Sequence, residues 1–253
     1  MNYAVLKKSL GQNFLINEII AEKIASYTPS SIDTNIIEIG CGDCALTRFL
    51  SDMKFYNFHI VELDNQWAEK AQKRFTKKSI FVHNQDFLKF EFPKEKKNCI
   101  TGNIPYNITY PILEKIIDNF ENVESVVLMM QEEVAQKLYK KRGKEYGPIS
   151  VLIQSFFNVE LLDRVGPENF RPQPKVISRV IRMIPKKTNI TFDIITDFKK
   201  FLGIIFKHPR KTIKNNIVNS MLKDKIDEKI ASKRAQELSH EELYLLFKHI
   251  YTI

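Results

Sequence analysis

Four consecutive residues, Asn103, Ile104, Pro105 and Tyr106, carry the most specific chemistry in this chain of 253 residues. They follow Cys99-Ile100-Thr101, a short apolar run of the kind that forms a buried strand. The Asn103 carboxamide oxygen accepts a hydrogen bond. Pro105, whose φ is fixed, biases Ile104 to an extended conformation and so holds its carbonyl in one direction. Two acceptors converging on one point suit an exocyclic NH2 group. Tyr106 adds a flat face for stacking a base, worth roughly 1–3 kcal/mol in single-stranded nucleic-acid sites. Together they make a cradle for an adenine-like amine. The same residues would also serve as an Asn-Pro turn closing a strand, with Tyr106 capping the core, and the rest of the chain has to decide between the two.

A second constellation lies upstream. Asn35–Ile39 reads as a strand running into Gly40-Cys41-Gly42-Asp43-Cys44-Ala45, after which Leu46, Phe49 and Leu50 recur at helical spacing. Glycines in such a turn let the backbone approach a ligand, and the following helix N-terminus offers it free N–H groups. Glu62 ends the next strand, Phe58–Leu63, 22 residues beyond Gly40, where a ribose-binding carboxylate belongs in a dinucleotide-type fold. Asp86 stands just past a third strand, Ser79–Val82. Open α/β sheets bind ligands at this carboxyl edge.

The elements that must position these residues alternate. Gln12 and Asn13, which serve a ligand or the turn backbone, precede a helix capped by Asn17 with Ile19, Ile20, Ala21, Ile24 and Ala25 on one face. Trp67, Ala68, Ala71 and Phe75 give a core-facing helix, and a helix follows Pro111 with Ile112, Leu113, Ile116, Ile117 and Phe120 inward. Ser125–Met130 reads as a strand and Glu132–Tyr139 as a helix. Lys140, Lys141 and Arg142 then open a basic loop, either phosphate contacts or a solvated turn. Ser150–Leu162 and Lys175–Ile184 read as two long strands joined by a Pro-rich connection. Phe170 within it forms a second jaw opposite Tyr106 or tucks into the core; the jaw is the expectation.

After Ile184 the pattern becomes helical. Phe198, Phe201, Leu202, Ile205 and Phe206 fall on one face; Ile213, Ile217 and Met221 follow; and Ser239 with Glu242 forms a capping box before Leu243, Leu246, Phe247 and Ile250. The expected domains are therefore 1–185 and an all-helical 186–253. The tail carries 14 Lys or Arg against 8 Asp or Glu, +6 of the chain's net +9, so the positive field concentrates there.

Composition sets the outer bounds. With 43% hydrophobic residues the chain can bury a core, and no apolar run approaches a membrane span or a signal-peptide core, which points to the cytosol. Cys41, Cys44 and Cys99 are an odd count without framework spacing and suit a reducing compartment. Cys41 and Cys44 make a C-x-x-C, a conceivable redox pair. No histidine spacing completes a metal site, so no metal is expected.

Lys8–Leu15 (Lys-Ser-Leu-Gly-Gln-Asn-Phe-Leu), Glu38–Gly42 with Ala45-Leu46-Thr47, Gly102–Ile108 and Phe170–Val176 (Phe-Arg-Pro-Gln-Pro-Lys-Val) stand in one order. In that order they resemble the KsgA family of ribosomal RNA adenine dimethyltransferases. The resemblance continues through Arg210-Lys211-Thr212 with Asn215 and covers nearly the whole chain. It implies a Rossmann-like class I methyltransferase sheet with helices on both faces plus a small helical C-terminal domain. It also implies S-adenosylmethionine as cofactor, held by Gln12, Asn13, Leu15, Gly40, Gly42, Glu62, Leu63, Asp86, Phe87 and Asn103. The implied activity is dimethylation at N6 of two adjacent adenines near the 3′ end of small-subunit rRNA, with Asn103, Ile104, Pro105, Tyr106 and Phe170 at the target base. Lys7, Lys8, Lys140, Lys141, Arg142, Lys207, Arg210, Lys211 and Lys214 are the expected RNA contacts, on a monomer acting on a pre-assembled 30S-type particle. Cys44 departs from the family, which usually has a third glycine there. An Erm-type large-subunit RNA or DNA adenine methyltransferase is a neighbouring alternative, and a noncatalytic RNA-binding assembly or transcription factor a different one.

Overall fold

The computed structural model of the protein describes residues 13–187 and 192–251. In chain order these form β1 (Phe14–Leu15), α1 (Glu18–Tyr27), β2 (Thr34–Ile39), α2 (Thr47–Leu50), β3 (Phe58–Glu62), α3 (Asn65–Arg74), β4 (Ile80–Asn84) and β5 (Lys97–Asn103). There follow α4 (Thr109–Asp118), β6 (Val123–Gln131), α5 (Glu132–Tyr139), α6 (Pro148–Phe156), β7 (Phe157–Val165), β8 (Phe170–Arg171) and β9 (Ser178–Pro185). Helices α7 (Phe192–Ile205), α8 (Ile213–Ile217), α9 (Glu228–Ala231) and α10 (His240–Tyr251) complete it.

Seven strands make one sheet in the order β4-β3-β2-β5-β6-β9-β7. Strands β2 to β6 pair in parallel and β9 runs antiparallel to β6, a mixed sheet with helices on both faces. Strands covered on both sides need apolar residues on both, which is why Ile36, Ile37 and Ile39 of β2 and Val126–Met130 of β6 are all buried. From β2 the chain first adds β3 and β4 on one side, then β5 and β6 on the other. The carboxyl end of β2 is therefore the switch point where such sheets open a crevice.

Local signals place the helices. Asn17 caps α1 by accepting from Ile19 and Ile20 N–H (3.1 and 3.2 Å), and Ser239 and Glu242 form the expected reciprocal box before α10. On α1 Ala21, Ile24 and Ala25 are buried, whereas Ile19 faces outward.

Besides Ile19, expected on the inward face of α1, two expectations are corrected. Ser150–Leu162 is not one strand: Pro148 starts helix α6, and β7 begins only at Phe157. The run Ile149–Val159 holds no charged residue, and its few polar residues give no clear period to separate helix from strand. Met221 is exposed rather than inward, because α8 ends at Ile217.

The chain divides into two compact units, one running to Ala135 and resuming for Glu160–Pro185, the other Gln136–Val159 with the chain from Lys186 on. The break at 185/186 was expected; the assignment of 136–159 to the helical unit was not. Its apolar helix α6 supplies Phe156, which packs edge-on against Phe198 and Tyr244, and Phe198 and Phe201 pack on Phe247. An aromatic cluster of this kind is the core of the second unit.

Candidate active site

Gly102 decides how the two constellations meet. A Cβ there would stand 2.6 Å from the Ile39 carbonyl oxygen, so only glycine lets the end of β5 lie this close to the end of β2. Asn103 is thereby set beside the glycine turn. In that turn Gly42 has φ +48°, and a Cβ on it would collide with the Phe14 ring at 2.6 Å. Phe14 in turn packs on Trp67, with ring centroids 4.9 Å apart. Cys44 also adopts a positive φ, +64°. It therefore takes the left-handed conformation that favours glycine, at a steric cost of roughly 1–2 kcal/mol.

One cavity collects the site. Its walls include Asn13, Leu15, Gly40, Gly42, Glu62, Leu63, Asp86, Phe87, Asn103, Ile104, Pro105 and Tyr106. Every described residue expected at the cofactor or the target base is among them except Phe170. Phe170 is buried in the core, 1% exposed, because β8 pairs with β1 and turns the ring inward while Arg171 points out. Of the polar neighbours that made it look exposed, Arg171 lies on the opposite side of the two-residue strand and Asn169 in the turn before it. Gln12, Lys7 and Lys8 fall outside the described residues.

Asn103 is held in one orientation. Its Nδ2 donates to the Asn13 carbonyl (2.9 Å), which leaves Oδ1 as the acceptor side of the carboxamide. Pro105 is extended at ψ 129°, and Ile104 N–H is fixed on the Met129 carbonyl (3.2 Å). The Tyr106 hydroxyl bonds to Ser178 Oγ at 2.6 Å, tying the ring to the first residue of β9. Burial raises the Tyr106 phenol above its usual range, so it stays neutral.

The Glu62 carboxylate organises the turn. Oε2 accepts from Gly42 N–H (3.0 Å) and the Cys41 thiol (3.7 Å), and Oε1 accepts from Asp64 N–H (2.8 Å). Asp86 accepts from Leu88 N–H (2.9 Å), capping the short turn that carries the buried Phe87.

Glu38 belongs to the Glu38–Gly42 motif and has no role that the sequence alone assigns. It lies in β2, 1% exposed, and lines the cavity. Oε1 accepts from Thr47 Oγ1 (3.1 Å), while buried Oε2 has no partner. Burial pushes its carboxyl up to about 8, against the Thr47 hydrogen bond and with help from Cys44 and Glu62. Its signal was visible: an acid inside an otherwise apolar strand. Ser178 had none, since its contact spans 72 residues.

Four carboxyl side chains, Glu38, Asp43, Glu62 and Asp86, line this cavity, and among the described residues no Lys or Arg does. In a chain of net charge +9 that is a strong local inversion. The cavity repels phosphate and favours a cation. A buried acid with an unpartnered oxygen and an apolar lining beside the glycine turn fit a cationic adenosyl compound, which S-adenosylmethionine is.

The expected RNA contacts Lys140, Lys141, Arg142, Lys207, Arg210, Lys211 and Lys214 are all exposed and all in the helical unit. Lys140 pairs with Glu145, Arg142 with Glu242 (2.8 Å) and Lys214 with Glu228 (2.8 Å). Exposed pairs of this kind are worth little and exchange readily for a phosphate. Among the described residues no cluster could hold a metal ion, and no helix is long and apolar enough to cross a membrane.

The family model of the ribosomal RNA adenine dimethylases matches residues 4–251. A ribosomal RNA small subunit methyltransferase A from Chlorobium phaeobacteroides is 39% identical over 249 residues, 97% of this chain and 91% of that protein. The protein of the same name from Mycoplasmopsis pulmonis is 38% identical, covering 95% and 97%. Among solved structures, a dimethyladenosine transferase from Plasmodium falciparum superposes with TM-score 0.80 at 25% identity, over 94% of this chain and 97% of that one. The 23S rRNA methyltransferase ErmE shares the fold, with TM-score 0.74 at 22% identity over 94% of this chain and all of its own.

Proposed function

The chain belongs to the ribosomal RNA adenine dimethylase family and is an S-adenosylmethionine-dependent enzyme that dimethylates small-subunit rRNA adenines; we propose that it acts at N6 of two adjacent adenines near the 3′ end. In this reading it works as a cytoplasmic monomer on a pre-assembled small-subunit particle during ribosome assembly. The observation that carries the site assignment is the acid-lined cavity, without Lys or Arg among its described lining, opening onto the oriented Asn103 carboxamide.

S-adenosylmethionine supplies a methyl group on a cationic sulfur, already electrophilic without a metal. Glu62 would take the ribose hydroxyls, Asp86 and Phe87 the adenine of the cofactor, and Glu38, once ionised, would favour its positive charge. The chain's remaining task is to present a nucleophile. The lone pair of an adenine amine is delocalised into the ring, so its nitrogen attacks poorly. Hydrogen bonds from that amine to Asn103 Oδ1 and the Ile104 carbonyl favour a more tetrahedral nitrogen and aim its lone pair. Neither acceptor is a strong base; the work is orientation, which can supply on the order of 7–11 kcal/mol of barrier reduction. Tyr106, fixed by Ser178, stacks on the flipped base. The second transfer needs the same cradle to readmit the monomethyl amine.

The test is labelled S-adenosylmethionine offered in parallel to unmethylated small subunits, free small-subunit rRNA, large-subunit rRNA and DNA. Label is expected in N6,N6-dimethyladenine of the assembled small subunit. Label in large-subunit RNA or DNA alone would favour an Erm-type or DNA enzyme, and none at all a noncatalytic role.

A further inference from the structure

We propose that Cys41 and Cys44 are an oxidisable thiol pair in the cofactor turn, converted by a hydroperoxide to a disulfide that shuts the cofactor site, and that bound cofactor prevents this. The two cysteines stand at the ends of a hydrogen-bonded turn, Cys44 N–H donating to the Cys41 carbonyl at 2.8 Å. Such a turn brings its end Cα atoms within about 7 Å, close to the range of about 4.4–6.8 Å that disulfides span. Cys41 Sγ lies 3.7 Å from Glu62 Oε2, which Gly42 N–H also meets, and Cys44 Sγ lies 3.8 Å from the Gly42 carbonyl.

The pair is electrically uneven. Cys41 is pushed up by its bond to Cys44, by burial and by the Glu38 and Glu62 carboxyls. Cys44 is pulled down by the Cys41 hydrogen bond, against burial, with Thr47, Lys70 and Arg74 assisting. Cys44 is thus the more readily ionised of the two sulfurs.

Access runs through the cofactor's own space. Cys41 lines the cavity, whereas Cys44 is fully buried behind it. A small peroxide entering there gives up one oxygen as a hydroxyl on one sulfur, the other oxygen leaving as water. The partner sulfur then displaces that hydroxyl as a second water. Two thiols are oxidised by two electrons, the O–O bond is reduced, and an S–S bond forms.

The consequence falls on Glu62. Its Oε2 accepts from both Cys41 Sγ and Gly42 N–H, and Cys44 Sγ contacts the Gly42 carbonyl at 3.8 Å. Loss of both S–H groups ends two of these contacts, and the new bond draws the turn away from the carboxylate. Cys99, buried on β5 outside the turn, serves as an internal control.

The inference rests on the cofactor reading of the cavity, but its thiol chemistry is read without cofactor. The full-length protein is treated with hydrogen peroxide, with and without saturating S-adenosylhomocysteine. It is then denatured for thiol titration, intact mass and digestion, and S-adenosylhomocysteine binding is measured by calorimetry before and after. The expected result is loss of two of the three thiols with loss of two hydrogens, mapped to the peptide holding Cys41 and Cys44. Affinity falls at least tenfold and dithiothreitol restores it, and prior ligand slows the thiol loss at least tenfold. In Cys44→Gly and in Cys41→Ser, peroxide moves the affinity less than twofold. Three intact thiols, oxygen addition instead of hydrogen loss, or undiminished affinity of the disulfide form would overturn the proposal. A disulfide forming in a protein whose reduced form does not bind S-adenosylhomocysteine would defeat it through the cofactor assignment rather than the thiol chemistry.

Discussion

Replacing Glu38 by Gln removes a proton that the folded chain holds unusually tightly. The carboxyl is pushed up to about 8 from an ordinary 4.5, chiefly by burial. The folded state therefore binds this proton better than the unfolded chain does. Its contribution to stability is fully present below about pH 4.5, is lost as pH rises towards 8, and is absent above. Three and a half pH units at roughly 1.4 kcal/mol each set an upper bound of about 5 kcal/mol. Relaxation around the charge should leave a few kcal/mol of that. Glu38→Gln keeps the shape and an acceptor for Thr47 but does not titrate. Urea unfolding of cofactor-free parent and variant between pH 5 and 8.5 isolates the term, since every other carboxylate cancels in the difference. The variant should gain on the parent as pH rises. Because a cationic ligand favours the ionised acid, parent protein should also release a proton on binding S-adenosylmethionine, seen as a binding enthalpy that follows the buffer's ionisation heat. Parallel stability curves for the two proteins would refute the reasoning.

Glu62→Gln should weaken S-adenosylmethionine binding by about 1.5–3 kcal/mol, the scale of hydrogen bonds to a charged group, and calorimetry on a folded variant with unchanged affinity would remove Glu62 from the site. Tyr106→Phe and Ser178→Ala break the same hydrogen bond, so each should lower single-turnover methylation modestly, by about 0.5–1.5 kcal/mol, and the double variant no further; additive losses would mean the hydroxyls act separately. Neutralising Arg210 and Lys211 should lower rRNA affinity and flatten its salt dependence while leaving cofactor binding intact. Filter binding that gave the parent's slope would show that they touch no phosphate.

Much of this site was legible because Gly and Pro punctuate it locally. Gly40, Gly42, Gly102 and Pro105 mark where strands end, and the parallel sheet brings those ends to one edge. What was missed depends on contacts across the sequence or on patterns without a period. Phe170 sits among polar residues, yet alternation along a two-residue strand buries it. Helix α6 is hidden in an uncharged run, and Ser178 meets Tyr106 only because β9 returns beside β6. Glu38 was visible as an acid in an apolar strand, but its meaning needed the cavity it faces.

The central claim is that the Asn103 carboxamide, held by the Asn13 carbonyl, orients and polarises the adenine amine. Single-turnover methyl transfer to unmethylated small subunits at saturating S-adenosylmethionine, with RNA binding measured in parallel, tests it most directly. Asn103→Ala should slow the transfer by on the order of 10² or more, as loss of a preorganised polar contact does, with RNA affinity nearly unchanged because phosphates supply most of it. A folded Asn103→Ala protein that methylates at the parental rate would contradict it.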